Sequence, residues 1–64
     1  MNIKQITEAK LSYNAKELEE TETLYQESKD KLSQEANAFL REKISSFKKN
    51  VEYYTEVLKI LEGE

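Results

Sequence analysis

Apolar residues recur along the C-terminal half of the sequence at alternating spacings of four and three. The residues in this pattern are Leu40, Ile44, Phe47, Val51, Tyr54, Leu58 and Leu61. Such spacing is typical of the heptad seam of an α-helix that packs against another helix. Tyr53, Val57 and Ile60 widen the seam into a broad apolar face. The pattern therefore predicts a strongly amphipathic helix in this half of the chain.

The N-terminal half carries a weaker apolar stripe, in which the large residues recur every seventh position. The stripe consists of Leu11, Leu18, Tyr25 and Leu32, and it reaches Phe39. The heptad positions between them are small and polar, namely Thr7, Asn14, Thr21 and Ser28. If the halves lie antiparallel, with paired residue numbers summing to about 65, small residues face large ones, as close packing requires. Asn14 then meets Val51, and Thr21 meets Ile44, so we predict a helix-packing interface along both stripes.

Charged residues favour the same orientation. The sequence has an acidic run, Glu17, Glu19, Glu20 and Glu22, and a basic cluster, Arg41, Lys43, Lys48 and Lys49. Antiparallel pairing sets the acidic run beside the basic cluster, whereas a parallel in-register pair would set like charges together. Each exposed ion pair contributes only a few tenths of a kcal/mol, so these charges select the orientation and add little stability.

Signals that would end a helix are scarce. Pro is absent, and the single glycine, Gly63, stands where a left-handed C-cap residue is expected. Asn2 and Gln5 have the spacing of a capping box, which satisfies the first free amides of a helix. The simplest prediction is one continuous helix from Ile3 to Glu62. Leu32 favours it, because this residue carries the apolar stripe straight through the middle of the chain.

The alternative is a two-helix hairpin with a turn near Lys29 to Ser33. Asp30 or Ser33 would then cap the second helix, and two hairpins would dimerise into a four-helix bundle. Both alternatives predict an all-α fold in antiparallel coiled-coil or bundle packing. Both also treat residues 1–64 as a single element without an internal domain boundary.

Composition indicates that such a chain needs a partner to stay folded. It has 64 residues, no Cys, no His and a net charge of −3. A chain of this length buries only ~60% of its unfolded surface. Without Cys or His, a disulfide or a structural zinc ion is excluded as a source of stability. We therefore expect a homo-oligomer, or a complex with another helical protein.

The sequence offers little for catalysis. Its serines have no His to act as a base, and the acidic run lacks the His or Gly of di-iron and calcium motifs. We expect a protein that is not an enzyme and that uses no cofactor, metal or small-molecule substrate.

The acidic net charge argues against nucleic-acid binding. No apolar run approaches the ~20 residues of a membrane span, and no secretory signal is visible, so we expect a cytoplasmic protein.

About half of the sequence, from Tyr25 to Leu58, resembles the last long helix of BAR domains, especially those of sorting nexins. That helix carries the pattern F-x-x-E-K-x-x-x-F-K-x-x-(V/I)-x-x-Y-x-E-x-L. It is matched without gaps by Phe39, Glu42-Lys43, Phe47-Lys48, Val51, Tyr54, Glu56 and Leu58. The chain departs from the family in two respects. It is long enough for only one of the three long helices of a BAR domain, and Ser46 stands where an acidic residue usually precedes the second Phe.

The resemblance implies a BAR-like dimer that senses membrane curvature, with a role in membrane trafficking at the periphery of membranes. Family members contact phospholipid headgroups through basic residues, and the candidates here are Arg41, Lys43, Lys48 and Lys49. A competing hypothesis is a small stand-alone helical-hairpin regulator or adaptor that binds a protein partner.

Overall fold

The computed structural model describes residues 2–63, which form two helices joined by a short turn. Helix α1 spans Ile3–Ser28 and helix α2 spans Gln34–Gly63. The helices pack side by side in a hairpin whose Cα atoms extend 48 × 15 × 14 Å. The predicted all-α class is confirmed, and so is antiparallel helix packing.

The continuous helix from Ile3 to Glu62 is wrong, and the chain takes the hairpin alternative. After Ser28, backbone bonds of the turn type close the helix: the amides of Lys31 and Leu32 both donate to the Ser28 carbonyl oxygen, at 2.9 and 3.1 Å. Ser33 begins the second helix as its N-cap, since its Oγ accepts from the Ala36 amide at 3.1 Å. The apolar stripe does pass through the turn, but a straight helix would leave both stripes in water. Folding back lets each stripe cover the other.

The two outer ends of the hairpin differ in how they are capped. At the start of α1 the predicted capping box is present: the Asn2 side chain accepts from the Gln5 amide at 2.8 Å, and the Gln5 side chain accepts from the Asn2 amide at 3.1 Å. The left-handed C-cap expected at Gly63 is not found, because Gly63 lies within α2 and has no positive φ.

The seam between the helices is thin. Ten of the eleven predicted interface residues are half-buried, and the eleventh, Leu32, lies in the turn and is 38% exposed. No apolar side chain within residues 2–63 is fully buried. The buried side chains in this range are polar, Thr7 at 6% and Asn14 at 7% exposure. A two-helix layer covers only one side of each helix, so a single hairpin does not build a closed hydrophobic core.

Candidate functional site

Heptad letters describe the surfaces of the hairpin, with positions a and d forming the seam. In α1, Leu11, Leu18 and Tyr25 stand at a, and Thr7, Asn14, Thr21 and Ser28 stand at d. In α2, Ile44, Val51 and Leu58 stand at a, and Leu40, Phe47, Tyr54 and Leu61 stand at d. Around each helix, g lies next to d and is followed by c, while e lies next to a and is followed by b. Each helix therefore has a c/g flank and a b/e flank.

All of the large apolar side chains that the two helices leave exposed stand on the c/g flanks. In α1 they are Ile3 and Leu24 at g, with Ile6 and Tyr13 at c; in α2 they are Phe39, Tyr53 and Ile60 at c. Their exposed fractions run from 41% to 68%. Among the described helical residues, no large apolar side chain is exposed at positions b, e or f. The exposed apolar surface is thus organised, and not scattered over the hairpin.

The c/g flanks of the two helices lie on the same side of the hairpin. In an antiparallel pair, the g positions of one helix run beside the g positions of the other, and e runs beside e. Two contacts agree with this arrangement. Asn50, at g of α2, donates from its side-chain amide to Asn14 Oδ1 at 3.0 Å, and Lys48 pairs with Glu22, both at e, at 4.0 Å. We call the combined c/g surface the apolar face and the combined b/e surface the charged flank.

Ionic and polar contacts link the helices along the charged flank and the seam position a that borders it, where Lys4 and Tyr25 stand. Besides the Lys48–Glu22 pair, Lys4 Nζ lies 3.8 Å from Glu62 Oε2. Arg41 Nη1 donates to the Tyr25 hydroxyl at 3.5 Å. One residue of the predicted acidic run therefore meets one residue of the basic cluster, in the predicted antiparallel orientation.

The four basic candidates for phospholipid contact are not brought together in one patch. Arg41 and Lys48 stand at e, on the charged flank, and each contacts α1. Lys43 stands at g, and its Nζ lies 5.5 Å from the centre of the Phe39 ring, a cation–π contact on the apolar face. Lys49 stands at f, on the outer side of α2. The hairpin thus distributes these charges over three sides of one helix.

The apolar face contains a groove near the ends of the chain. The groove encloses about 460 Å³ and is lined by Ile6, Ala9, Lys10, Tyr13, Asn14 and Tyr54. Its walls are mainly apolar, and Lys10 supplies a charge beside them. A groove of this size next to exposed aromatic rings is suited to accept a large side chain from a neighbouring helix.

At the groove, the buried side chain of Asn14 links the two helices. Asn14 donates to the Lys10 carbonyl oxygen at 2.7 Å, while it accepts the Asn50 bond described above. Thr7 Oγ1 donates to the Ile3 carbonyl oxygen at 2.8 Å. Because a slip of one turn would break the Asn14–Asn50 bond and leave buried polar atoms without partners, this pair opposes other registers.

Sequence reasoning paired Asn14 with Val51 and missed Asn50, the neighbouring residue. The sequence did contain a signal for this pair. Asn50 stands at g, directly before Val51 of the seam, and the numbers of Asn14 and Asn50 sum to within one of the 65 that the antiparallel pairing predicts. The apolar residues of α1 on the c/g flank were also missed, because they lie outside the seven-residue stripe that marked this helix.

No group of three His, Cys, Asp or Glu side chains within residues 2–63 is arranged to hold a metal ion. Neither described helix contains a stretch long and apolar enough to cross a membrane. Comparisons with protein-family models, curated proteins and solved structures found no match.

Proposed function

We propose that this chain is a self-associating helical hairpin that acts through binding and not through catalysis. Its apolar face receives the apolar face of a second copy, and the two hairpins form a four-helix bundle. One observation carries the proposal: the exposed large apolar side chains of both helices occupy a single face. Large contiguous apolar patches on small proteins mark interaction surfaces.

The dimensions of the hairpin fit this role. Its Cα atoms span 48 Å by 15 Å in the two longer directions. A face of that extent is comparable to the ~800 Å² that each partner contributes to a standard protein–protein interface. Association also supplies what the single hairpin lacks, since the half-buried seam becomes the interior of a closed bundle. The seam residues then gain cover on their second side.

The small size of the chain favours a second copy as the partner. Domains of this length have marginal stability unless a disulfide, a metal or another subunit supports them, and the sequence has no Cys or His. A second copy is present wherever the first is made. An adaptor that offers the same face to a different helical protein is the alternative, and the experiment below separates the two.

Sedimentation velocity over a range of concentrations tests self-association, and two neighbouring serines provide a matched pair of variants. Ser45 stands at b and Ser46 at c, both exposed in α2. Ser46→Glu adds a charge in the middle of the apolar face, and Ser45→Glu adds the same charge outside it. We expect the unaltered protein to be a dimer at micromolar concentration. Ser46→Glu should weaken the dimer at least ~10-fold, the equivalent of about 1.4 kcal/mol, and Ser45→Glu should leave it unchanged.

An unaltered protein that stays monomeric and helical at all concentrations would overturn self-association and favour the adaptor. Equal effects of the two serine variants would show that the c/g surface is not the interface. Circular dichroism on each variant separates weakened association from loss of helix.

The BAR-like role at membranes is a separate and weaker proposal, carried by the resemblance from Tyr25 to Leu58. The turn falls inside that stretch, so α2 alone carries its matched motif from Phe39 onward. Since the basic residues lie on three sides of α2 and the net charge is −3, we expect no strong binding to anionic vesicles. Co-sedimentation at low and physiological salt tests this. A salt-sensitive micromolar affinity, lost when Arg41, Lys43, Lys48 and Lys49 are replaced by Gln, would support the membrane role.

A further inference from the structure

The apolar face is uneven along its length. Five of its seven exposed large apolar residues lie in the half that contains the ends of the chain, namely Ile3, Ile6, Tyr13, Tyr53 and Ile60. The other half, toward the turn, has Leu24 and Phe39 together with four charged residues at c and g, namely Glu17, Glu20, Glu27 and Lys43, whereas the half with the chain ends has Lys10 alone. Because the two halves differ, the relative direction of two docked copies changes which residues meet.

Two-fold symmetry allows two ways to set one apolar face against another. If the axis runs along the helices, both turns lie at the same end, and α1 of each copy faces α2 of the other. If the axis crosses the helices, the turns lie at opposite ends, and α1 faces α1.

With the turns at opposite ends, α1 meets itself unfavourably. Ile6 lies opposite Glu27 of the second copy, Tyr13 lies opposite Glu20, and Glu17 approaches Glu17 of the second copy. Carboxylates would then lose water against apolar side chains or sit beside like charge, and both changes oppose association.

With the turns at the same end, the complement is good in the half of the face that contains the chain ends. Ile3 and Ile6 lie opposite Ile60 of the second copy, and Tyr13 lies opposite Tyr53. In this arrangement the Tyr53 ring of the second copy is at the level of the groove between Ile6 and Tyr13 of the first, and the groove has room for the ring. Toward the turn, Glu20 lies opposite Lys43 of the second copy, so unlike charges meet. Glu27 lies opposite Phe39 there, so the turn half contributes less to docking than the half with the chain ends.

We infer that two hairpins dock through their apolar faces with both turns at the same end, α1 of each copy packing against α2 of the other. This inference rests on the proposed self-association and adds the direction of docking. Its basis is the juxtaposition of Ile6 with Ile60, of Tyr13 with Tyr53 and of Glu20 with Lys43, which only that direction brings about. The opposite direction also pairs Phe39 with Ile60 between the two α2 helices, but it sets α1 unfavourably against α1.

Pulsed electron–electron distance measurements on spin labels test the direction, because the sequence has no Cys and each label site is therefore unique. Asp30→Cys labels the turn, and Lys59→Cys labels the other end of the hairpin at an exposed b position, off the apolar face. We expect both labels to give distances between copies well under half of the 48 Å hairpin length. Dilution with unlabelled protein should abolish both signals, which confirms that they arise between copies.

The outcomes are distinct. An Asp30 label distance near or above the 48 Å length overturns the inferred direction. If the Lys59 distance is short in that case, the copies overlap only at their chain ends; if it is also long, the turns lie at opposite ends of a full overlap. Self-association itself survives both results. A protein that is monomeric by sedimentation overturns the inference and the proposed function together.

Discussion

The charged flank and the apolar face are built from the same two helices, yet they differ in how much apolar surface they expose to water. On the charged flank, Lys48 meets Glu22 and Lys4 meets Glu62, and the groups that face water are ones that water solvates well. On the apolar face, Tyr13, Tyr53 and Ile60 are each at least 60% exposed, and the surface between them contains a groove. The charged flank is complete in a single hairpin, whereas the apolar face still has surface to remove from water.

That difference teaches where the stability of this small fold has to come from. Exposed ion pairs contribute ~0–1 kcal/mol each, while burying one large apolar side chain contributes ~1.5–3 kcal/mol. The charged flank thus decides how the helices are oriented and adds little energy. The apolar face has most of the stabilisation still to be gained, and it gains it only when something covers it.

The largest expected effect comes from removing apolar surface. The double substitution Tyr53→Ser with Ile60→Ser truncates two large side chains at c. Because both copies of the dimer carry it, four large side chains are lost from the interface. We expect the dimer dissociation constant to rise by at least ~10³-fold, about 4 kcal/mol, measured by sedimentation equilibrium. The control is Lys49→Ser with Glu56→Ser, which has the same spacing at position f and keeps the net charge. Equal weakening in the control would remove the distinction between the two surfaces.

A second substitution tests the seam that both surfaces share. Phe47→Ala removes the largest side chain from the middle of the α2 seam, where Phe47 is half-buried. We expect it to lower the free energy of unfolding by about 3 kcal/mol, at the low end for such a change because the burial is incomplete. Urea denaturation at fixed protein concentration measures this. Ser45→Ala should change the same quantity little, and a comparable loss there would show that the seam is wrongly assigned.

The Asn14–Asn50 bond allows a double-mutant cycle on the boundary between seam and apolar face. Asn14→Ala leaves the Asn50 amide without its partner, so we expect a loss of ~1–3 kcal/mol in unfolding free energy. Adding Asn50→Ala should cost less than the two single changes together, because both ends of the bond are then gone. Strict additivity would mean that the bond contributes nothing to pairing the helices.

The smallest expected effect is on the charged flank. Lys48→Glu places a like charge beside Glu22, and we expect a loss of only ~0.2–1 kcal/mol in unfolding free energy. The loss should shrink in high salt, and Glu22→Lys in the same chain should restore it. A loss larger than that of Phe47→Ala would mean that the charged flank, and not the seam, supplies most of the stability of the helix pairing.

Much of the fold was predictable because local chemistry determines it. The spacing of Asn2 and Gln5 was sufficient for the capping box, and the heptad stripes with their charges were sufficient for antiparallel helices. The break between the helices was not predictable, since the turn has no Gly or Pro and Leu32 continues the apolar stripe through it. Whether the chain folds back there depends on contacts between distant residues, which a local pattern does not contain.

The candidate site was predictable only in part. Tyr53 and Ile60 were visible as a widening of the α2 seam. Ile3, Ile6 and Tyr13 stood outside the α1 stripe, and nothing local connects them to α2. They join Tyr53 and Ile60 on one surface only once the antiparallel register sets g beside g, so this surface is a property of the pairing and not of either helix alone.

The absence of a fully buried apolar side chain within residues 2–63 has a consequence for how the protein responds to its own abundance. If folding is completed by a second copy, the transition from folded to unfolded chains is bimolecular, and mass action governs it. The melting temperature then rises with protein concentration, and refolding speeds up as the chains meet more often. Below the dissociation constant, hairpins would open and be exposed to proteolysis. The rate of synthesis would thereby set both the amount of this protein and the fraction of it that is folded.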